Sequence, residues 1–197
     1  MSEVTWAHPF LARVLNEIPL DTRTLIDVGC GRGIIGALVR IYREPKRLVG
    51  VDIFQPYLNF CKKFNLYDEV YCLDLRKLPL PFENKDFDVV TCIEVLEHLP
   101  KKDGEKLLDE MERLAKLVIV TTPATFFLQQ DFNHNPFQKH MSSWTLANFR
   151  KRNYDVKGFG EFLIRRKRIR YISSFLAPLC QKWFPQFAVF LLAKKRT

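Results

Sequence analysis

Leu25-Ile26-Asp27-Val28-Gly29-Cys30-Gly31-Arg32-Gly33-Ile34-Ile35-Gly36 decides how this chain of 197 residues is read. An apolar run meets a glycine cluster and then a second apolar run, the pattern of a strand, a tight turn and a helix. Two motifs overlap in it. Gly31-x-Gly33-x-x-Gly36 has the dinucleotide-binding spacing, a weak signal alone. Asp27-x-Gly29-x-Gly31-x-Gly33 points to a different ligand. In either case the glycines allow positive φ and let a ligand approach the backbone.

Working outward, short β-rich runs alternate with helical patterns, the signature of a parallel sheet covered on both faces. Phe10, Leu11, Val14, Leu15 and Ile18 keep helical spacing and end at Pro19. Strands are expected at Thr24–Val28, Arg47–Val51, Glu69–Leu73, Phe87–Ile93 and Leu117–Thr121, with two more at Tyr154–Phe159 and Phe187–Leu192. Between them, Ile34, Ile35, Leu38, Val39 and Ile41 read as a buried helix face, Pro56 suits the first turn of a helix, and Leu107, Leu108, Met111, Leu114 and Ala115 mark another. Acidic residues follow three of the strands: Asp52, Asp74 and Glu94. Ligands of open α/β sheets bind at the carboxyl ends of the strands, so three carboxylates there form a polar rim.

Asp52 lies where a carboxylate accepts both hydroxyls of a ribose, which suits a dinucleotide and an adenosyl ligand equally. Asp27 separates them. A dinucleotide turn offers its helix N-terminus to a pyrophosphate, and a carboxylate just ahead of it repels that anion. S-adenosylmethionine carries a sulfonium and an α-ammonium instead, and an acidic strand end accommodates both. A dehydrogenase is disfavoured accordingly.

LIDVGCGRG, VGVDIF and LDLRKLPLPFENKDFDVVTCIEVLEHL, spread over Thr24 to Pro123, together resemble the class I S-adenosylmethionine-dependent methyltransferases. The last stretch is most similar to the small-molecule branch that includes the ubiquinone and menaquinone methyltransferases. The resemblance implies a Rossmann-like, doubly wound, mostly parallel sheet of seven strands, with a basic helical insertion before the last. It implies a single domain over 1–197, its cofactor half at about 20–123 and its acceptor loop and insertion at about 124–186. It also implies roles. Gly29, Gly31 and Gly33 would pass under the methionine portion, with Asp27 near its amino group. Asp52 would hold the ribose, Ile53 would pack on the adenine, and Asp74 with the backbone of Leu75 would meet the adenine amino group. Glu94 would stand near the methyl group, and the product would be S-adenosylhomocysteine. Gly36 reads instead as a packing contact and Cys30 as a small apolar filler.

Methyl transfer from a sulfonium needs acceptor and methyl held in line, and a hydroxyl or amine acceptor can also require a general base. The fourth strand ends in Ile93-Glu94-Val95-Leu96, not in the Asn-Pro-Pro-aromatic sequence of enzymes that methylate planar amino groups. His98 and His140 are the candidate bases, with His140 preferred over His134 in the irregular stretch QQDFNHNPFQKHMSSWT. Within it, NPFQKHMSSWT also resembles a segment of small methyltransferases of unassigned, sometimes glycan-related, substrate.

Five cysteines lie dispersed without a CxxC pair, which argues against disulfides and a zinc site, favours a cytoplasmic location and leaves no metal expected. Residues 139–197 carry 14 Lys/Arg against two acids, whereas residues 1–138 are slightly acidic. The cluster Arg165, Arg166, Lys167, Arg168 and Arg170 beside apolar runs too short to span a bilayer suggests a peripheral contact with anionic membrane. Nucleic acid is the weaker option, and a solvated face is the plain one. The sequence therefore favours a methyltransferase acting on a small-molecule, lipid or lipid-linked glycan acceptor. An RNA or protein methyltransferase, or a silent cofactor-binding subunit, stands as the alternative, and the oligomeric state is open.

Overall fold

In a computed structural model that describes residues 4–124, 129, 135–162 and 188–197, seven strands form one sheet in the order β3-β2-β1-β4-β5-β7-β6. The strands are β1 (Thr24–Val28), β2 (Arg47–Asp52), β3 (Glu69–Cys72), β4 (Phe87–Ile93), β5 (Ala115–Pro123), β6 (Asp155–Phe162) and β7 (Ala188–Arg196). Strands β1 to β5 run parallel, while β7 lies antiparallel to β5 and to β6. Among the described residues five helices accompany them: α1 (Val4–Glu17), α2 (Ile34–Arg43), α3 (Gln55–Lys63), α4 (Lys101–Leu114) and α5 (Leu146–Arg150). The order reverses between β1 and β4, the place where an open sheet leaves a crevice.

Alternate residues of each strand feed opposite cores, as the pleat requires. Leu25 and Leu48 pack with Val14 of α1, Ile18 just beyond its end, Ile35 and Val39 of α2, and Leu58 of α3. Ile26, Val28, Val49 and Val51 face the other way, towards Leu107, Leu108 and Met111 of α4 and Phe149 of α5. The sheet is doubly wound, as the alternation implied.

Several boundaries move. Ile34 and Ile41 of α2 are exposed and Leu38 is half-buried, so the inward face is narrower and rests on Ile35, Gly36 and Val39. Ala115 opens β5 instead of closing α4, its side chain buried where Phe87 pairs with it. Strand β3 stops at Cys72, β6 begins after Tyr154 and β7 continues to Arg196. The extension of β7 carries charge: Lys194 pairs with Glu17, and Lys195 lies 2.6 Å from Glu112. Lys157 also reaches Glu17 at 2.8 Å, and Arg152 pairs with Asp109 and Glu112. Part of the C-terminal positive charge is thus spent on acids of the first two-thirds. The cluster at 165–170, Cys180 and His134 lie outside the described residues. No helix among the described residues is long and apolar enough to cross a membrane.

Candidate functional site

The glycine turn is built on β2. Backbone N–H groups of Gly29 and Cys30 both donate to the Val51 carbonyl, at 2.7 and 2.9 Å. That contact bends the chain away from β1 and through left-handed conformations. Gly29 has φ +76°, and a Cβ there would lie 2.3 Å from Val95 Cγ2. Gly31 has φ +53°, and nothing lies within 4 Å of where its Cβ would be. The space over Gly31 belongs to a cleft of about 320 Å³ that opens at the carboxyl ends of β1, β2 and β4. That volume lies within the usual range for small-molecule sites.

Asp52, at the end of β2, ties the turn to the sheet. Its Oδ2 accepts from the Gly31 N–H at 2.8 Å and its Oδ1 from the Phe54 N–H at 2.8 Å. Burial raises the acid's pKa, and the backbone donors around it partly offset that. Ile53 and Leu75 line the cleft beside it. Asp74 lines it too, but its carboxylate is already held by Arg76, with Nε and NH2 each 2.8 Å away. This pairing lowers the Asp74 pKa.

Three of the expected residues, Asp27, Gly33 and His140, stand apart from the cleft lining. Asp27 is 2% exposed, below the turn, and accepts hydrogen bonds from the Tyr67 hydroxyl and the Thr91 hydroxyl, both at 2.7 Å. Burial pushes its pKa up to about 6 against those two donors, and the Asp52 charge adds to the rise. Gly33 caps α2, packed on Leu66, Cys61 and Tyr67. Tyr67 also meets Gly36, whose N–H donates to its hydroxyl at 3.2 Å, so Gly36 is a packing contact.

The opposite wall comes from the end of β4. Glu94 adopts φ +55° and lines the cleft with Val95, His98 and Leu99. A 3-10 turn at Leu96–His98 then docks the segment after β5. The Glu97 carbonyl accepts from the Met141 and Ser142 N–H groups at 2.7 and 3.1 Å, and Ser142 Oγ donates to the Leu96 carbonyl at 3.1 Å. Trp144 is 1% exposed and donates through Nε1 to Ser142 Oγ at 3.1 Å. Asn135, Pro136, Phe137, Gln138, Lys139 and Met141 are thereby brought over the cleft. His140 turns inward, 6% exposed, its ring centroid 4.9 Å from that of His98.

Glu97 is the residue that sequence reasoning missed. It is 2% exposed, and its Oε2 accepts from the Thr122 hydroxyl at 3.1 Å. One ligating atom each of Glu97, His98 and His140 lies within 4.8 Å of the others. No metal ligand set was expected. The available signal was the run Glu94-x-x-Glu97-His98, in which only Glu94 and His98 were given roles. Burial, more than the neighbouring charge, pushes Glu94 well above the carboxylate range, and burial pushes Glu97 up to about 7. Burial lowers His98 to about 4, which keeps its ring neutral.

Comparison with known proteins agrees with this fold. A family profile described as "Methyltransferase domain" matches residues 26–117. Residues 26–117 thus match a methyltransferase domain, and the sheet has the class I methyltransferase fold. The cofactor of the class is S-adenosylmethionine. A ubiquinone biosynthesis O-methyltransferase of Hahella chejuensis is 31% identical over 121 residues, 59% of this chain and 46% of that protein. A protein of Methanocaldococcus jannaschii without assigned function is 32% identical over 114 residues, 55% of this chain and 45% of its own length. The chain thus spans a little under half the length of these curated relatives. Among solved structures, a complex of the Haloferax volcanii Trm112 methyltransferase activator with a methyltransferase has a TM-score of 0.65 at 17% identity, covering 94% of this chain and 86% of the other. That likeness is one of fold.

Proposed function

We propose that this methyltransferase domain binds S-adenosylmethionine in the cleft and transfers its methyl group to a small-molecule or lipid-like acceptor. The observation that carries the reading is the pairing of Gly31 with Asp52. Gly31 leaves open space where any other residue would put a Cβ, and Asp52 stands in the same cleft. Each Asp52 oxygen accepts one backbone N–H, which leaves further lone pairs for a ribose diol. Ile53 and Leu75 offer apolar contact for the adenine, and Asp74 can take its amino group when Arg76 moves aside. Gly29 and Gly31 run beneath the methionine portion. Asp27 acts on its ammonium from below the turn, through the field of a buried carboxylate and not by contact, and Gly33 acts through the cap of α2.

The acceptor side is apolar where Val95, Leu99, Pro136, Phe137 and Met141 meet, and polar at Glu94 and His98. An apolar body with one reactive heteroatom fits that division. His98 contacts the reacting end from the cleft, and His140 supports it from behind. The relatives named for ubiquinone biosynthesis make a hydroxyl the first acceptor to test. Binding of the cofactor supplies an electrophilic methyl; the chain's own residues orient it, exclude water and position the acceptor.

The experiment is an acceptor screen. Cell extract fractionated into lipid, glycan, RNA and protein is incubated with methyl-labelled cofactor and the protein. Label entering the lipid or small-molecule fraction supports the reading. Label confined to RNA or protein selects the other acceptor class, and no transfer with intact cofactor binding identifies a silent binding subunit.

A further inference from the structure

Glu97, at 2% exposure, keeps Oε1 buried without a hydrogen-bond partner among the described residues, and Oε1 of Glu94 is in the same state. Leaving such oxygens dry and uncompensated is costly. A positive charge between the β4 end and the docked loop removes that cost, and the surroundings are arranged for one.

Two imidazoles approach the same point from different segments, His98 from the 3-10 turn and His140 from the loop. With Glu97 they give two nitrogens and one oxygen, each within 4.8 Å of the others. The far side of two of these groups is already fixed. His98 Nδ1 lies 3.3 Å from the Lys139 carbonyl, so Nδ1 carries the hydrogen and Nε2 offers its lone pair. Glu97 Oε2 is held by the Thr122 hydroxyl, which leaves Oε1 to act. Outer partners of this kind orient the ligands of metal sites.

We propose that Glu97, His98 and His140 form a site for a divalent first-row transition metal at the acceptor end of the cleft, where it binds and activates a hydroxyl of the acceptor. The donor set of two imidazoles and one carboxylate suits manganese to zinc better than magnesium or calcium. His98 lines the cleft, so the site has a side open to the acceptor. This proposal rests on the methyltransferase reading and gives it a chemical class of acceptor. A hydroxyl bound to the cation loses its proton to solvent more readily. The oxygen then forms a bond to the methyl carbon, the carbon–sulfur bond breaks, and its electron pair stays on sulfur as the sulfonium becomes the neutral thioether.

The test uses the whole chain stripped with a chelator and titrated with Co²⁺ followed by visible absorption, then with Zn²⁺ by calorimetry. S-adenosylhomocysteine affinity is measured on every sample as the check on folding and on the cofactor site. One equivalent of metal is expected in the wild type. Glu97→Gln and His98→Ala should each weaken it by more than 100-fold, and Thr122→Val, which removes only an outer hydroxyl, by about 10-fold. The S-adenosylhomocysteine affinity of all three should stay within about twofold of the wild type. A wild type that binds S-adenosylhomocysteine but no stoichiometric metal overturns the proposal and leaves the cofactor reading standing. Metal binding that survives Glu97→Gln also overturns it. Metal bound as expected without any S-adenosylhomocysteine binding keeps the metal site and removes the cofactor reading.

Discussion

Asp52 Oδ2 accepts a 2.8 Å hydrogen bond from the backbone N–H of Gly31, joining positions 21 residues apart. The carboxylate expected to hold a ribose therefore also holds the turn that makes room for the ligand. The two roles are separable by substitution. Asp52→Asn keeps an oxygen for one backbone donor, whereas Asp52→Ala removes all acceptors. Charge-assisted bonds are worth about 1.5–3 kcal/mol each. Asp52→Ala should lose at least about 10-fold in S-adenosylhomocysteine affinity by calorimetry, and Asp52→Asn should fall between it and the wild type. Normal binding by Asp52→Ala would reduce this residue to turn chemistry.

Gly31 gives a complementary prediction. A Cβ at φ +53° meets no protein atom within 4 Å, so Gly31→Ala suffers backbone strain but no clash. The strain should cost about 1 kcal/mol of stability. The methyl group enters the cleft, so cofactor affinity should fall by more than the stability change accounts for. Denaturant melts and calorimetry on one preparation compare the two effects.

Asp27 makes stability depend on pH in a defined direction. Its ordinary pKa of 3.8 is raised to about 6 in the fold by burial. Between those values the native state holds more protons than the unfolded chain, so stability falls as pH rises through that window. The penalty, complete above about pH 6, is roughly 3 kcal/mol by linkage. Asp27→Asn lacks this titration. Urea melts of both proteins from about pH 4 to 7 should show the wild type losing stability relative to the variant as pH rises; parallel profiles would contradict the assignment.

Trp144 couples the core to the acceptor wall. It is 1% exposed, closes over Gly104, and donates to the same Ser142 that bonds the Leu96 carbonyl. Trp144→Phe keeps most of the packing but loses that donor. Trp144→Ala should cost about 3–5 kcal/mol. Hydrogen exchange should show the 139–142 backbone less protected in Trp144→Phe, with the β1 and β2 amides unchanged.

The strands, their order of hydrophobicity and the carboxylates at their ends were legible because each depends on local pattern. Asp27–Gly31 and Asp52 carry signals of spacing that need no knowledge of packing. The inward face of α2 was overdrawn, since Ile34 and Ile41 have helical spacing and yet stay exposed. Spacing alone did not separate them from Ile35 and Val39. Nor was it legible that Tyr67 and Thr91 would enclose Asp27, because both partners are distant in sequence. Glu97 went unseen for the same reason. Its meaning depends on His140, more than 40 positions away, being folded beside it.

Calorimetry with S-adenosylmethionine, S-adenosylhomocysteine and NAD on the same protein tests the central claim most directly. One equivalent of either adenosyl ligand should bind with a micromolar Kd, about −8 kcal/mol, and NAD should show no comparable binding, since the carboxylates of Asp27 and Asp52 beside the turn repel a pyrophosphate. NAD binding tighter than both adenosyl ligands would contradict the account.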